Sequence, residues 1–282
     1  MTQTQRVIKY CALALAGLII ATMIGGVIQL FARLASVDRE KELLDAPTEL
    51  AIEQDGSALT SLRIELFATK LTVCRGDALG IVTNDPSITA VLEEGELFLA
   101  EPERKTSFSA MQIGSTSSKV GELTLTLPEI LFDRLELSAD VGEVNIDRIA
   151  AKQATLNFGV GDVVIDSLSI TQSGEIDCGV GDLTVRSGAL QNVSLDMGIG
   201  ETVISAVFSG ETDVDLGIGS AQLTVRGRAE EYSVTVEKGI GGAALDGERV
   251  ADGKTYGDGA HSIRIDGGIG SIELNFVEDE NE

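Results

Sequence analysis

The chain has 282 residues, of which 43% are apolar and 4% aromatic, and its formal net charge is −24. This charge argues against binding to nucleic acid and against electrostatic docking on anionic lipid, because both require a surface rich in Lys and Arg. Thirty-two glycines and the absence of Trp favour a β protein with frequent turns over a helical one. Three cysteines are too few for a disulfide framework, although a single bridge between Cys74 and Cys178 is conceivable.

The first predicted element is a transmembrane helix at residues 10–32. These 23 residues carry no charge, and as a helix they would extend about 34 Å, enough to cross the hydrocarbon core of a bilayer. Lys and Arg are almost equally frequent on the two sides, but Arg6 and Lys9 form a short basic head like that of a signal anchor. We therefore predict a cytoplasmic tail at 1–9 and a domain outside the cytoplasm. A cleaved signal peptide is the rival interpretation, but the segment lacks a small-residue cleavage pattern.

Residues 33–60 are predicted to form a juxtamembrane linker, whose charged first part ends near Pro47. Alternating apolar and polar residues then predict strands from residue 61 onward. A polar, Ser-rich stretch at 101–118 predicts a long loop. The whole β domain is predicted to span 61–277, with an acidic tail at 278–282.

A short phrase, Gly-Val/Ile-Gly followed by an acidic residue, recurs through the second half of the chain. The early copies are spaced 19, 20, 19 and 19 residues apart. Self-similarity at a period near twenty is typical of stacked repeats. We therefore predict an all-β fold, a β-solenoid with about 19–20 residues per coil. The clearest copies are Gly159–Asp162, Gly179–Asp182 and Gly198–Glu201, with weaker ones at 217–220, 239–242 and 268–271 and an earlier one at Asp140–Glu143.

The pattern around each copy predicts how the coils stack. Before the turn the apolar residues have even numbers, such as Phe158, and after it they have odd numbers, such as Ile165. This single shift in the alternation, at Gly161-Asp162, predicts a bulge or a sharp corner. Residues one period apart should then lie above one another. Three inward columns are predicted: Phe158, Cys178, Met197 and Leu216; Val160, Val180, Ile199 and Ile218; and Ile165, Val185, Ile204 and Leu223.

The same stacking collects acidic residues in two columns. One, at the corner, would consist of Glu143, Asp162, Asp182 and Glu201. The other, on the outward side of the incoming strand, would consist of Asn157, Asp177, Asp196 and Asp215. The simpler interpretation is a solvated face whose corner acids accept hydrogen bonds from turn N–H groups. The sharper interpretation is a metal site, a Ca²⁺ strip along the four corner acids, or a site for a basic partner.

Catalytic chemistry finds little support. His261, the only histidine, is predicted to lie in a loop, where a lone histidine is more often solvated than catalytic, and a His-rich metal site cannot form. The many acids single out no pair for a glycosidase. We predict no enzyme and no cofactor other than the Ca²⁺ of the strip.

The stretch 123–165 resembles the bacterial putative-adhesin family, a β-strand-repeat domain of unknown function. The likeness is carried by Gly121–Pro128, Leu135–Leu137, Val141–Val144 and Gly161–Val163. Residues 263–274 are similar to the terminal coils of Lia-type envelope-stress regulators. The resemblance implies a membrane-associated bacterial β-solenoid protein engaged in adhesion or envelope sensing, without catalytic residues. We therefore predict a non-enzymatic interaction or sensing module at the cell envelope, with envelope or membrane proteins as partners. A structural or adhesive surface protein is the alternative.

Overall fold

The computed structural model describes residues 44, 46–52, 58–102 and 120–278. Seventeen strands and one 3-10 turn, at Ala229–Glu231, occur in these ranges. The strands are β1 (Thr48–Glu49), β2 (Ser61–Leu66), β3 (Thr69–Arg75), β4 (Gly80–Thr83), β5 (Thr89–Glu93), β6 (Glu96–Ala100), β7 (Gly121–Leu127), β8 (Leu131–Val141), β9 (Val144–Val160), β10 (Val163–Val180), β11 (Leu183–Val185), β12 (Gly188–Arg226), β13 (Tyr232–Glu237), β14 (Ile240–Leu245), β15 (Glu248–Arg249), β16 (Lys254–Tyr256) and β17 (His261–Val277).

Several predicted segments lie outside the described residues. They are the tail at 1–9, the transmembrane helix at 10–32, most of the linker, residues 103–118 of the predicted loop and most of the acidic tail. Among the residues that are described, no helix is long and apolar enough to cross a membrane. Strand β1 falls within the segment predicted as linker.

Each central coil has three strand segments around a common core, as β10 shows. Its segments 163–165, 168–170 and 174–180 each pair in parallel with residues 19 or 20 positions earlier in β9 and 19 or 20 positions later in β11 or β12. The predicted period of about 19–20 residues per coil is therefore confirmed. The chain stays extended through all three segments, because each is long enough for a few ladder hydrogen bonds on both sides.

The core is filled by the inward side chains of these segments. Strand residues alternate between faces, and in β10 Val163, Ile165, Leu168, Ile170 and Ile176 are 2% exposed or less. Burying one such side chain stabilises the fold by roughly 1.5–3 kcal/mol relative to leaving it in water. Stacked copies of one apolar pattern therefore form a continuous core along the solenoid.

Two of the three predicted inward columns are confirmed. The column from Phe158 to Leu216 lines the core, with Phe158 and Met197 buried and Cys178 and Leu216 packed against them. The column from Ile165 to Leu223 is fully buried.

The second predicted column, Val160, Val180, Ile199 and Ile218, is not in the core, and its assignment was wrong. These side chains are half-buried, and Ile218 is 37% exposed. The physical reason is the corner: Gly161 has φ +143, so the chain turns directly after Val160. The prediction assumed that inward and outward side chains alternate as far as Val160, but the core-facing pattern ends at Phe158, two residues earlier.

Antiparallel strands close the solenoid at its N-terminal end. Strands β2 and β3 form the first coil and pair in parallel with β8 and β9 on their inner side. Their outer neighbours β6 and β7 carry the antiparallel strands β5 and β4, and β1 pairs with β4. These added strands cover edges that would otherwise present unpaired backbone groups.

The C-terminal coils do not stack in sequence order. Strand β17 pairs in parallel with β12 on one side and with β13 and β14 on the other. The last copy of the repeat, at 268–271, is therefore inserted between the copies at 217–220 and 239–242. Short antiparallel strands β15 and β16 lie along the outer side of the terminal coil.

Candidate interaction surface

The repeated corner places one aliphatic residue of each coil in line along the outside of the solenoid. We call these residues the corner ladder. The strand registers establish which ladder residues lie next to each other. For Ile199 and Ile218 the contact between their adjoining glycines establishes it. In stacking order the corner ladder consists of Val141, Val160, Val180, Ile199, Ile218, Ile269 and Ile240.

Glycine is required beside the ladder because successive coils touch through their backbones there. A Cβ on Gly161 would lie 1.8 Å from the carbonyl oxygen of Gly142, and one on Gly159 would lie 2.3 Å from that of Asp140. The same close approach recurs at the later copies. The two glycines of each Gly-x-Gly phrase thus bring the coils together and leave the central aliphatic side chain standing between two strips of bare backbone.

The ladder becomes more exposed toward its C-terminal end. Ile218 is 37% exposed, Ile269 45% and Ile240 51%. Six rung intervals at about 4.8 Å give the ladder a length of roughly 29 Å. A shallow depression of only about 20 Å³ lies beside this end, lined largely by the glycines of the last three corners. A continuous apolar line of this kind on the surface is typical of an interaction site.

The four corner acids lie on adjacent coils, as the sequence predicted. Oδ1 of Asp162 accepts the backbone N–H of Asp182 at 3.4 Å, and Oδ1 of Asp182 accepts that of Glu201 at 2.8 Å. Asp162 and Asp182 therefore each cap a backbone donor of the next coil, which agrees with the simpler of the two interpretations. Beyond Glu201 the column continues with Ser220 and Ser271.

The two ends of the corner-acid column have side-chain partners. Glu143 accepts a hydrogen bond from Asn145 at 2.7 Å and lies 3.0 Å from the Lys70 ammonium. The bond from Asn145 first, and then Lys70, holds the pKa of Glu143 below its usual value. At the other end, Glu201 accepts from the Gln222 amide at 3.1 Å. These contacts relieve part of the repulsion within the column.

The Ca²⁺ strip along Glu143, Asp162, Asp182 and Glu201 stays a prediction. Within the described ranges, no group of three or more His, Cys, Asp or Glu side chains is arranged to hold a metal ion.

The second acidic column is also formed, and it is longer than predicted. Asp177 pairs with Asn157 and Asp196, and Asp215 pairs with Asp266 of the inserted strand β17. Glu237 of β13 continues the line beyond Asp266. We call this column the strand acids: after the neutral Asn157 at its start, it consists of Asp177, Asp196, Asp215, Asp266 and Glu237.

Partial burial and, after it, nearby like charges perturb two of the strand acids. Partial burial raises the pKa of Asp177, and the neighbouring Glu175 and Asp196 raise it further. Burial likewise raises the pKa of Asp215, with Asp266 as the next largest cause. Both shifts show carboxylates without enough compensating positive charge.

Sequence reasoning missed Asp266 and Glu237 because it stacked the coils in chain order. A signal was present: each lies three residues before a ladder residue, at the same offset as Asp196 before Ile199 and Asp215 before Ile218.

A glutamate that the sequence placed at the start of a loop closes the corner at the N-terminal end. Val141 donates its N–H to the carbonyl of Phe67 at 2.9 Å, so the first coil continues the stack. Oε2 of Glu101 then accepts the N–H groups of Phe67 and Ala68 and the hydroxyl of Thr69 at 2.9–3.0 Å. Glu101 thereby supplies the acceptor that another coil would have provided.

The remaining residues singled out by the sequence have structural positions. His261 begins β17 rather than lying in a loop, and its Nδ1 accepts the N–H of Gly210 at 3.0 Å. Its ring packs 5.5 Å from that of the buried Tyr232. Cys74 and Cys178 carry free thiols, and burial raises the pKa of Cys178 to about 12.

Comparison with known proteins identifies the family. The sequence profile of the Toastrack DUF4097 family matches residues 78–252, more than half of the chain, and the chain belongs to that family. This confirms the resemblance to the putative-adhesin family, whereas the likeness to Lia-type regulators stays a prediction.

Several solved structures resemble the chain, among them proteins from three bacteria. A putative cell adhesion protein from Clostridium sporogenes is 17% identical, with 82% of this chain and 99% of that chain covered and a TM-score of 0.34. For a putative adhesin from Bacteroides fragilis the identity is 13%, the coverage 81% and 96%, and the TM-score 0.41. For a putative lipid binding protein from Parabacteroides distasonis the values are 15%, 82% and 96%, and 0.29. No curated protein matches the chain.

Proposed function

We propose that the protein is a non-enzymatic interaction module of the bacterial cell envelope, anchored in the membrane at residues 10–32 with its solenoid outside the cytoplasm. The observation that carries the proposal is the corner ladder, in which aliphatic side chains stand in register at the corner of the coil stack and the last three are exposed. A soluble domain gains nothing from leaving such side chains in water, so a surface that repeats them in successive coils is best explained by binding.

The form of this surface suits an extended partner better than a small substrate. The ladder runs for roughly 29 Å at about 4.8 Å per coil, whereas small-molecule sites are concave and bury most of their ligand. The depression beside the ladder is shallow and lined mainly by glycine backbone. Contact with a protein or polymer along the solenoid axis would engage many rungs at once.

The location is proposed from the sequence. The uncharged run at 10–32 is long enough to span a bilayer, and Arg6 and Lys9 precede it. With this orientation the acidic solenoid lies outside the cytoplasm, near other envelope proteins. The alternative function is a structural or adhesive surface protein. It requires that the anchor is removed in the mature protein, and the same repeated ladder would then be its adhesive surface.

Two measurements on cells test the proposal. Protease added to intact cells should remove the solenoid and leave a small membrane-bound fragment, whereas protection until lysis would contradict the orientation. In a mild detergent, envelope proteins that co-purify with the wild-type chain should be lost with an Ile218→Thr, Ile269→Thr variant.

The matched control is Val91→Thr, Val207→Thr, which alters two apolar residues of similar exposure (43% and 39%) outside the ladder. If both variants retained or both lost the same partners, the ladder would not be the interaction surface. Release of the solenoid from the cells without its anchor would favour the adhesive alternative.

A further inference from the structure

We propose that the corner ladder, with the acids on either side of it, binds a basic amphipathic α-helix of a partner protein. The apolar face of that helix would lie along the ladder, and its Lys and Arg side chains would reach the strand acids and the corner acids. This inference rests on the proposed role as an interaction module and names the chemistry of the partner.

The ladder supplies the apolar half of the site. Its three most exposed members, Ile218, Ile269 and Ile240, are consecutive rungs. Rungs repeat at about 4.8 Å, close to the 5.4 Å pitch of an α-helix, so one helical turn can meet about one coil. Side chains on one face of an extended strand repeat at about 6.6 Å, so a strand would lose register with the ladder sooner than a helix would. A helix of roughly 19 residues would cover the whole ladder.

The acids supply the charged half of the site. Around Val180 and Ile199 one acid lies three residues before the ladder residue and one lies two residues after it, as Asp177 and Asp182 do around Val180. The ladder is thus bordered by negative charge on both sides at Val180 and Ile199, and by the strand acids alone at the three exposed rungs. Among the described residues, no ion pair engages Asp182, Asp196 or Asp215. Long Lys and Arg side chains can cover apolar surface with their stems while their charged ends reach such carboxylates.

The same charges disfavour other occupants. A second copy of this chain would place acid columns opposite acid columns, and like charges across an interface disfavour it. An anionic lipid surface would be repelled for the same reason. A basic partner instead gains from the unpaired carboxylates.

The experiment uses the full-length protein in nanodiscs of zwitterionic lipid, with empty discs as the background to subtract. The probe is a synthetic peptide of about 21 residues in which Leu occupies one helical face and Lys the rest, with a photo-crosslinker in the Leu face. Two comparison peptides have the same residues in scrambled order, or Glu in place of every Lys. Affinity is measured by fluorescence anisotropy, and crosslinks are mapped by mass spectrometry.

The Lys peptide should bind best and crosslink to residues 217–220, 268–271 and 239–242 and to the adjoining corner at 198–201. Ile218→Thr, Ile269→Thr should weaken its binding roughly tenfold, from the apolar groups removed. Val91→Thr, Val207→Thr should leave it unchanged.

A charge-neutralising pair tests the acids without touching the ladder. Asp196→Asn, Asp215→Asn should weaken binding at low salt and flatten its salt dependence. The control Asp77→Asn, Glu93→Gln removes the same net charge from exposed sites elsewhere. Because both variants change only exposed residues, their folding can be checked by their unfolding midpoints before binding is compared.

Three results would overturn the inference: equal binding of the Glu peptide, crosslinks that map away from the corner, or equal losses in the ladder and control variants. The assay is independent of membrane orientation. A solenoid found inside the cytoplasm would contradict the proposed function and leave this binding result standing, and failed binding would leave the topology result standing.

Discussion

Replacing Gly161 with Ala should test the backbone contact that holds the coils together at the corner. The new Cβ would lie 1.8 Å from the Gly142 carbonyl oxygen, and the residue would have to hold φ +143. A non-glycine residue in such a conformation costs on the order of 1–3 kcal/mol. Separating the coils would also weaken the bonds from Gly161 N–H to Val180 and from Gly142 N–H to Val160, both 2.9 Å, each with a net contribution of about 0.5–1.5 kcal/mol. We expect a total loss of roughly 2–5 kcal/mol in the free energy of unfolding.

The matched control is Gly242→Ala in the terminal copy of the same repeat. No atom lies within 4 Å of a Cβ built there, and its φ is outside the left-handed range. Its effect should be within about 0.5 kcal/mol, with a small gain if the unfolded chain loses freedom. Urea unfolding of both variants, followed by circular dichroism, measures the difference. Equal losses, or an unchanged midpoint for Gly161→Ala, would refute the argument that glycine is needed because of the neighbouring coil.

Three further predictions concern individual groups. Asp177→Asn, Asp215→Asn should raise the unfolding midpoint at neutral pH, because the folded-state pKa of each acid is raised. The gain in midpoint should shrink as the pH falls through the raised folded-state pKa values toward about pH 4, because the wild-type carboxyls then take up protons in both the folded and the unfolded chain. A gain that stays constant with pH would contradict this explanation. If the corner acids hold Ca²⁺, millimolar Ca²⁺ should raise the melting midpoint relative to chelator at matched ionic strength, and Asp162→Asn, Asp182→Asn should abolish the rise; identical midpoints would dismiss the cation. Cys178, with a thiol pKa of about 12, should resist alkylation at mildly alkaline pH until the protein is unfolded, and rapid modification of the native protein would show that it is not packed against the core.

Periodicity was sufficient to predict the architecture. The nineteen-residue spacing of the Gly-Val/Ile-Gly phrase predicted the solenoid, the corner and the stacking of Asp162 on Asp182. It also predicted that Phe158 and Ile165 lie in core columns. These properties follow from the sequence alone because a repeat that cannot bury its apolar face by itself must stack on its neighbours, and stacking places equivalent residues in line.

Only the tertiary structure decided where the corner side chains point and in which order the last coils stack. Alternation assigned Val180 to the core, but the turn at Gly181, where φ is +139, leaves it half-buried at the corner. Sequence order likewise could not reveal that Ile269 lies between Ile218 and Ile240, since all three occur in nearly identical phrases and could pair in several registers. That choice depends on long-range packing of the whole terminal coil, and it is what joins Asp266 to the strand acids and completes the surface.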